Sequence, residues 1–412
     1  MNLAKKINVC RICKSKKLYH FLDLGKQPIP NGFLKKEQLI LKENFFKLAC
    51  FFCRSCGLVQ LTHVVSPALM FKNYAYIPSG AKMMLNNFSN LAYQANHQIK
   101  LSKSSLCVDI GSNDGSLLKF FKAFEAKVLG IDPAQNLADV AIKAGIPTEV
   151  MMFNEKTADR IIKSHGKADI ITATNVVAHI DNLHSLLKGI LKLLKNGGIF
   201  ITEFPYLLDL VAKNQFDTIY HEHLSYFSLK PWLKLISGYG FEIAAAQRLQ
   251  IHGGSIRLTH RRRRLKHISR VVKYLVDLEA RQGLHSAQGF EDFSKRIFNL
   301  KDQLRAALKN LKDQGKRVVG LGAPAKGNVL TSFFNIGVET LDYIVDSTPL
   351  KHGLFSPGKH IPIFPESRLL EDRPDYGLIL AWNFSDEIIK KHEKFKKIGG
   401  KFIIPIPEVR II

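Results

Sequence analysis

The chain has 412 residues, 46% apolar and 23% charged, which suits two or three globular domains and excludes a fibrous or disordered class. Its net charge of +25 admits nucleic acid, an anionic membrane surface or a phosphorylated substrate as partner, yet the lysines are spread along the chain rather than gathered in a stripe. No apolar run reaches the ~20 residues of a bilayer span, and MNLAKKINVCRICK lacks the apolar core of a secretory signal, so a cytoplasmic location without a membrane partner is expected.

The first element is a cysteine pattern. Cys10 and Cys13 form one CxxC; Cys53 and Cys56 form another about 40 residues on. Each knuckle points two thiolates at one ion, and four thiolates close a tetrahedral shell with no open position. The spacing therefore predicts a structural zinc on Cys10, Cys13, Cys53 and Cys56. The intervening FLDLGKQPIPNGFL is rich in Gly, Pro and Asn and offers little core, which a metal would replace. Cys50 is surplus, and Cys107 reads as a small buried residue ahead of a strand.

Past the aromatic, turn-rich MFKNYAYIPSG, a helix is expected to about Lys100. LCVDIGSNDGSLLKFFK then reads as buried strand, Gly-rich turn and helix. AKVLGIDP is a second strand, 149–153 a short third and ADIITATNV a fourth. LHSLLKGILKLLK has apolar residues at helical spacing, and GGIFITEFP is a fifth strand. FEIAAAQRLQ and GGSIRLTHR suit a closing antiparallel pair. The alternation argues for a parallel sheet covered on both faces. From about 265 to 315 the pattern is helical and charged. RVVGLGAPAKGNVL, LDYIVDS, YGLILAW and KFIIPIP then build a second, smaller α/β unit. The basic run Arg261–Arg264 reads as a solvated rim.

Asp109, Gly111, Asn113, Asp114 and Gly115 sit where the first strand ends, and Asp132 ends the second about 20 residues further on. Glycines let backbone approach a ligand; an acid at that offset is placed for ribose hydroxyls. Asn113 stands where a dinucleotide fingerprint needs its second glycine. That suits a ligand with ribose and adenine but no phosphates on this turn, such as S-adenosylmethionine.

At IYHEHLSYFS, two histidines flank a glutamate between tyrosines, at the carboxyl end of the fifth strand, where α/β sheets bind ligands. A histidine is neutral at pH 7 and suits a general base; a carboxylate can orient it, and a tyrosine hydroxyl can donate to an oxyanion. His223 is the expected base, with His221 pointing away if the segment is extended. HExxH is absent, so a metal reading is weaker. Lys326 in GAPAKGN lies on a Gly-rich turn at a helix start but fails the Walker spacing. It is read as facing either a sugar diphosphate or the domain interface. Asp114 is either a turn cap or a donor-site ligand.

The blocks CRIC, DLGKQPIPNGFL, CRSCGLVQL, YAYIPSG, VDIGSNDGSLL, NVVAHID, EFPYLLDL, FDTIYHEHLSYFS, HGGSIRL, GAPAKGN, PGKHIPI and AWNFSDEI run in one order over nearly the whole chain. Together they resemble the bacterial C-methyltransferases that act on nucleotide-linked 4-keto-deoxysugars. The resemblance implies a zinc-binding module (1–69), a class I methyltransferase domain (70–264) and a helical linker with a C-terminal Rossmann-like domain (265–412). It implies S-adenosylmethionine as donor, held by Asp109, Gly111, Asn113, Asp114, Gly115, Asp132 and Asn175. It implies a dTDP-linked keto-sugar between the flanking modules, methylated beside the ketone at C3, or alternatively C5. It carries site roles onto Tyr220, Glu222 and His223, with His179 and Tyr76 lining the site. A monomer that binds no nucleic acid is expected. The competing reading is a zinc-containing RNA methyltransferase, which calls for interleaved basic and aromatic residues on one face.

Overall fold

The structure is a computed structural model that describes residues 3–71, 78–80, 82–263 and 269–412. Its centre is a seven-stranded sheet. The strands are β1 (Leu106–Ile110), β2 (Lys127–Asp132), β3 (Thr148–Val150), β4 (Ala168–Thr174), β5 (Leu194–Pro205), β6 (Phe241–Leu249) and β7 (Ser255–Arg262). Their spatial order is 3-2-1-4-5-7-6, and β7 runs antiparallel to both of its neighbours. The expected closing pair is thus inserted with its second member inside. The third strand begins one residue earlier than its hydrophobic pattern suggests and stops at Val150.

β1 is buried along its whole length because helices cover both faces, as expected for a parallel strand without alternation. On one face Met84, Phe88 and Leu91 of the helix Lys82–Ile99 pack with Leu117, Leu118 and Phe121 of Ser116–Lys122. On the other lie Leu183, Leu186, Leu187 and Ile190 of the helix Leu183–Leu193. Among the described residues no helix is long and apolar enough to cross a membrane.

The cysteine-bearing module is an antiparallel sheet of Leu18–Gln27, Phe46–Cys53 and Val59–Leu61. Its fourth strand, Ser225–Tyr226, comes from the central domain and lies immediately after the YHEH segment. The opposite face of the module meets the long helix Ala287–Asp313, whose Phe290 ring sits 4.8 Å from both Phe21 and Phe52. The C-terminal unit is a six-stranded sheet, with Val318–Leu321 flanked by Ile344–Val345 and Tyr376–Ile379, all parallel. GAPAKGN is the turn from Val318–Leu321 into the helix Ala325–Phe334, as expected.

Candidate active site

The four cysteines of the doubled CxxC converge. Their sulfurs all lie within 4.8 Å of one another. Cys10 Sγ is 3.4 Å from Cys56 Sγ, and Cys13 Sγ is 3.6 Å from Cys53 Sγ. A tetrahedral ion with ~2.3 Å bonds to sulfur needs edges of about 3.8 Å, so the donor set fits zinc. Cys56 hydrogen-bonds Cys10 and draws its thiol down to about 5, while burial raises Cys13 to about 11. Cys50 lies on the adjoining strand, wholly buried, outside this group, and burial raises its thiol. Closure by four thiolates leaves no position for substrate, so the site is structural.

A cleft of about 1810 Å³ opens at the carboxyl ends of β1, β2 and β4 and runs to the C-terminal unit. Asp109, Gly111, Asn113, Asp132 and Asn175 line its inner end. Gly111 has φ +72°, and a Cβ there would lie 2.7 Å from Val176 Cγ2, so the turn requires glycine. Asp132 accepts the Asn113 amide on Oδ2 and the Ala134 amide on Oδ1, each at 2.9 Å, and burial raises its pKa. Each oxygen retains acceptor capacity beyond these bonds. Asp109 accepts from Thr172 Oγ1 at 2.6 Å, and burial pushes it up to about 7. Asn175 is left-handed at φ 56°, its amide donating 2.7 Å to the Glu203 carbonyl, and its buried Oδ1 has no partner among the described residues. A cradle with a bare acceptor and a carboxylate at the second strand's end fits the adenosine and amino-acid groups of S-adenosylmethionine.

Two members of the expected donor set stand back from the cleft. Asp114 is buried, and its Oδ1 accepts the Ser116 amide at 3.2 Å, so it braces the turn into the helix. Gly115, at φ +75°, faces Ile146 and Ala141, where a Cβ would lie 3.0–3.2 Å from their side chains. Both shape the loop from behind.

Tyr220, His223 and His179 line the middle of the cleft together. IYHEHL is not extended. The His223 amide donates 2.9 Å to the Tyr220 carbonyl, closing a tight turn over Tyr220–His223. The turn, rather than strand alternation, separates the histidines. His221 Nε2 donates 3.2 Å to the Phe46 carbonyl inside the zinc module, while His223 faces the cleft. The Tyr220 ring lies 4.1 Å from the His223 ring, and the His179 ring stacks with it at 5.1 Å.

His223 Nδ1 is 2.8 Å from the Thr218 carbonyl oxygen. A carbonyl only accepts, so Nδ1 carries the proton and Nε2 presents its lone pair. Burial, then the neighbouring His179, pushes this imidazole well below its ordinary value; burial alone takes His179 to about 4. The orienting group is thus a backbone carbonyl and not the neighbouring carboxylate that the sequence suggested. Glu222 instead accepts from Asn31 Nδ2 at 2.7 Å, tying the turn to PIPNGF of the N-terminal module. Tyr76 lies outside the described residues.

The far wall holds residues the sequence left unassigned or undecided. His252 of HGGS has φ 53° and lines the cleft, and burial takes it to about 4. Lys326 lines it too, donating 3.2 Å to the His252 carbonyl with its ammonium 5.4 Å above the Trp382 ring. Trp382 Nε1 donates 2.5 Å to Asp217. The positive φ of His252 and the Asp217–Trp382 pairing leave no periodic trace; the GAPAKGN turn was the available signal.

Three family descriptions match the chain: a "zinc binding domain" over residues 10–71, a "Methyltransferase domain" over 87–246 and a "C-methyltransferase C-terminal domain" over 250–407. The last begins within the central sheet, ahead of β7. C-methyltransferase NovU of Streptomyces niveus is 34% identical over 412 residues, covering 100% of this chain and 98% of the relative. The ubiquinone biosynthesis O-methyltransferase of Methylobacterium sp. (strain 4-46) is 28% identical over 97 residues, 23% of this chain and 38% of its own. Among solved structures, an S-adenosylmethionine-dependent methyltransferase from Clostridium acetobutylicum ATCC 824 covers 44% of this chain and 92% of its own, at 14% identity and TM-score 0.35. The central unit has the class I methyltransferase α/β fold. The chain belongs to the C-methyltransferase family, and is an S-adenosylmethionine-dependent C-methyltransferase with a structural four-cysteine zinc site.

Proposed function

We propose that the acceptor is a dTDP-linked 4-keto-deoxyhexose, methylated at the carbon beside its ketone, C3 in preference to C5, through an enolate formed by His223. The observation that carries the reading is the Nδ1–Thr218 hydrogen bond, which leaves Nε2 as a proton acceptor in the cleft. Nε2 takes the proton from the carbon, and its electron pair passes into the carbonyl as an enolate. Tyr220, whose ring packs on the imidazole, is the group we assign as hydroxyl donor to the developing oxyanion. Bound S-adenosylmethionine supplies the electrophilic methyl group. The enolate carbon would be the nucleophile toward that methyl, with the carbon–sulfur bond electrons leaving on sulfur, and the proton held on His223 would pass to solvent.

Lys326 and Lys351 on the C-terminal wall suit a diphosphate, and the cleft's volume of about 1810 Å³ leaves room for a nucleotide beyond the sugar. Incubation with S-adenosylmethionine and a panel of dTDP-4-keto-sugars tests the reading, with NMR locating the new carbon-bound methyl. Absence of a C-methyl product across the panel, with methyl transfer to an RNA oligomer instead, would overturn it.

A further inference from the structure

Arg11 sits between two zinc ligands, Cys10 and Cys13, yet its guanidinium reaches into the methyltransferase domain. It is only 4% exposed. Its Nε donates 3.0 Å to Asp181 Oδ1. Its Nη1 donates 3.0 Å to the Leu224 carbonyl and 3.4 Å to the Leu61 carbonyl. The arginine's own amide donates 2.8 Å to Gln60 Oε1, and Gln60 Nε2 donates 3.1 Å to the Val9 carbonyl, so the knuckle is pinned to the Val59–Leu61 strand.

These contacts fall on the two segments that carry the stacked imidazoles. Leu224 follows His223 directly, and Asp181 lies two residues after His179. The segments are also joined to each other, because the Leu224 amide donates 2.8 Å to the Ala178 carbonyl. The Leu224 carbonyl accepts a second bond from the Leu61 amide at 3.0 Å. His184, on the helix after Asp181, has Nε2 2.8 Å from the Ile12 carbonyl. The zinc knuckle, the strand beside it and both histidine segments thus close into one hydrogen-bonded ring with Arg11 at its hub.

We propose that Arg11 is a positioning residue for methyl transfer: it clamps the His179 and His223 segments to the zinc knuckle and so fixes the imidazole pair in the cleft. This rests on the reading of His223 as base. A planar guanidinium with several donors in a fixed fork can hold a carboxylate on one side and carbonyls on the other; an ammonium on a flexible stem cannot hold both in register. The Leu61 and Leu224 ends of this fork are buried, whereas Asp181 is half-exposed, so the carbonyl side of the clamp is where loss of the guanidinium costs most. The zinc module thereby gains a purpose beyond its own folding, as the rigid mount from which the arginine reaches.

The test compares Arg11→Met, Arg11→Lys and Asp181→Asn with wild type. Zinc content and S-adenosylmethionine affinity are measured on each, and rates are expressed per donor-binding site, which removes any misfolded fraction. Misplacement of a reacting group by an ångström costs up to about 100-fold, so kcat should fall about 10- to 100-fold in Arg11→Met, with zinc and donor affinity retained. Arg11→Lys should recover little of it. Asp181→Asn, which keeps an acceptor but loses the ion pair, should fall in the same direction by less and stands in should Arg11→Met not fold.

The pH profile separates positioning from bulk. The acid limb of kcat/KM reports the base, which His179, His252, Lys326, Tyr220 and Tyr226 face. A loosened imidazole gains water, so the limb should move to higher pH. A kcat kept within a few-fold, a loss matched by lost zinc or donor affinity, or a loss with the limb unmoved overturns the proposal. If His223→Ala itself retains wild-type kcat, the base reading fails whatever Arg11 does. If His223→Ala is inactive and Arg11→Met is not, only the clamp fails.

Discussion

The imidazole of His223 lies on that of His179, with ring centroids 5.1 Å apart and planes inclined by 30°. Burial disfavours charge on either ring, and two charged rings at that separation would repel, so the pair takes up at most one added proton and stays neutral into mildly acid solution. If His223 is the base proposed above, a proton it takes from substrate enters a site that resists keeping it, which favours prompt onward loss.

His223→Ala should lose about 10²–10⁴-fold in kcat, the usual worth of a general base, while both ligands still bind. In D₂O with the demethylated donor product bound, wild type should exchange the proton beside the ketone where the site admits solvent deuterons. His223→Ala should not, whereas His221→Ala should, since His221 is turned onto the Phe46 carbonyl. Exchange at the wild-type rate in His223→Ala, coupled to a failure to methylate, moves the base to His179.

Asp132→Ala should weaken S-adenosylmethionine binding by about 1.5–3 kcal/mol, the range for hydrogen bonds to a charged group. Sugar-nucleotide affinity should change far less. The carboxylate also holds the Asn113 and Ala134 amides, so part of the loss is the loop's. Titration calorimetry with each ligand separates the cases; equal losses would make Asp132 a residue of the fold.

Purified protein should contain one zinc per chain. Cys50→Ser should keep it, because Cys50 lies outside the four-sulfur group, whereas Cys56→Ser should lose it and lower the melting temperature. Metal analysis decides, and a folded, active Cys56→Ser without zinc would make the site dispensable.

Much of this architecture was legible because its signals are local. Continuous apolar runs such as LCVDI announce buried parallel strands, and the doubled CxxC announces a closed metal shell. The turn after the first strand was legible in Gly111 and Asp132, since glycine and an acid at that offset have backbone reasons to be there. What escaped is set by tertiary contact. Glu222 stands beside His223 in sequence, yet the turn sends it to Asn31, and the imidazole takes a carbonyl five residues back. Asp114 and Gly115 share a motif with Gly111 but face inward. The strand 225–226 joins a sheet whose other members lie before residue 62, a pairing no local pattern encodes.

Acid should destabilise the fold over a defined window. Burial takes His179, His221, His252 and His260 each from 6.5 to about 4. His260 shows why: Nδ1 donates 3.0 Å to the Phe200 carbonyl, so Nε2 must accept from Trp232 Nε1 at 2.8 Å, and a second proton would break that bond. At each of these rings, as pH falls below 6.5 the unfolded chain binds a proton that the folded chain refuses, so each lowers stability toward acid, while Asp109, raised to about 7 by burial, works in the opposite sense over the same window. The loss runs until the folded pKa is reached near 4, at about 1.4 kcal/mol per pH unit for each such histidine. Denaturant melts at a series of pH values should show stability falling from 6.5 to 4 by the histidine loss less the carboxyl gain; stability that rises toward acid over that window would mean the rings are hydrated.

Lys326→Met should separate the two ligands in the opposite sense to Asp132→Ala. The ammonium lines the cleft on the C-terminal side, over Trp382 and bonded to the His252 carbonyl, with Asp217 as the charge that most favours its protonated form. Burial lowers its pKa, so it holds its charge at a cost that an anionic ligand would offset. Methionine keeps the apolar stem on Trp382 and removes the charge. If the sugar diphosphate lies there, its affinity should drop by about 1.5–3 kcal/mol, as for a charge-assisted bond, and donor affinity should hold. A second effect follows from electrostatics alone. Lys326 is one of the cations that disfavour protonation of His223, so its removal should raise that imidazole's pKa and move the acid limb of kcat/KM upward. Affinity loss without a moved limb would place the phosphates at Lys326 and the imidazole out of its electrostatic reach. A moved limb with sugar-nucleotide affinity intact would make Lys326 a tuner of the base, and the diphosphate would then have to be sought near Lys351.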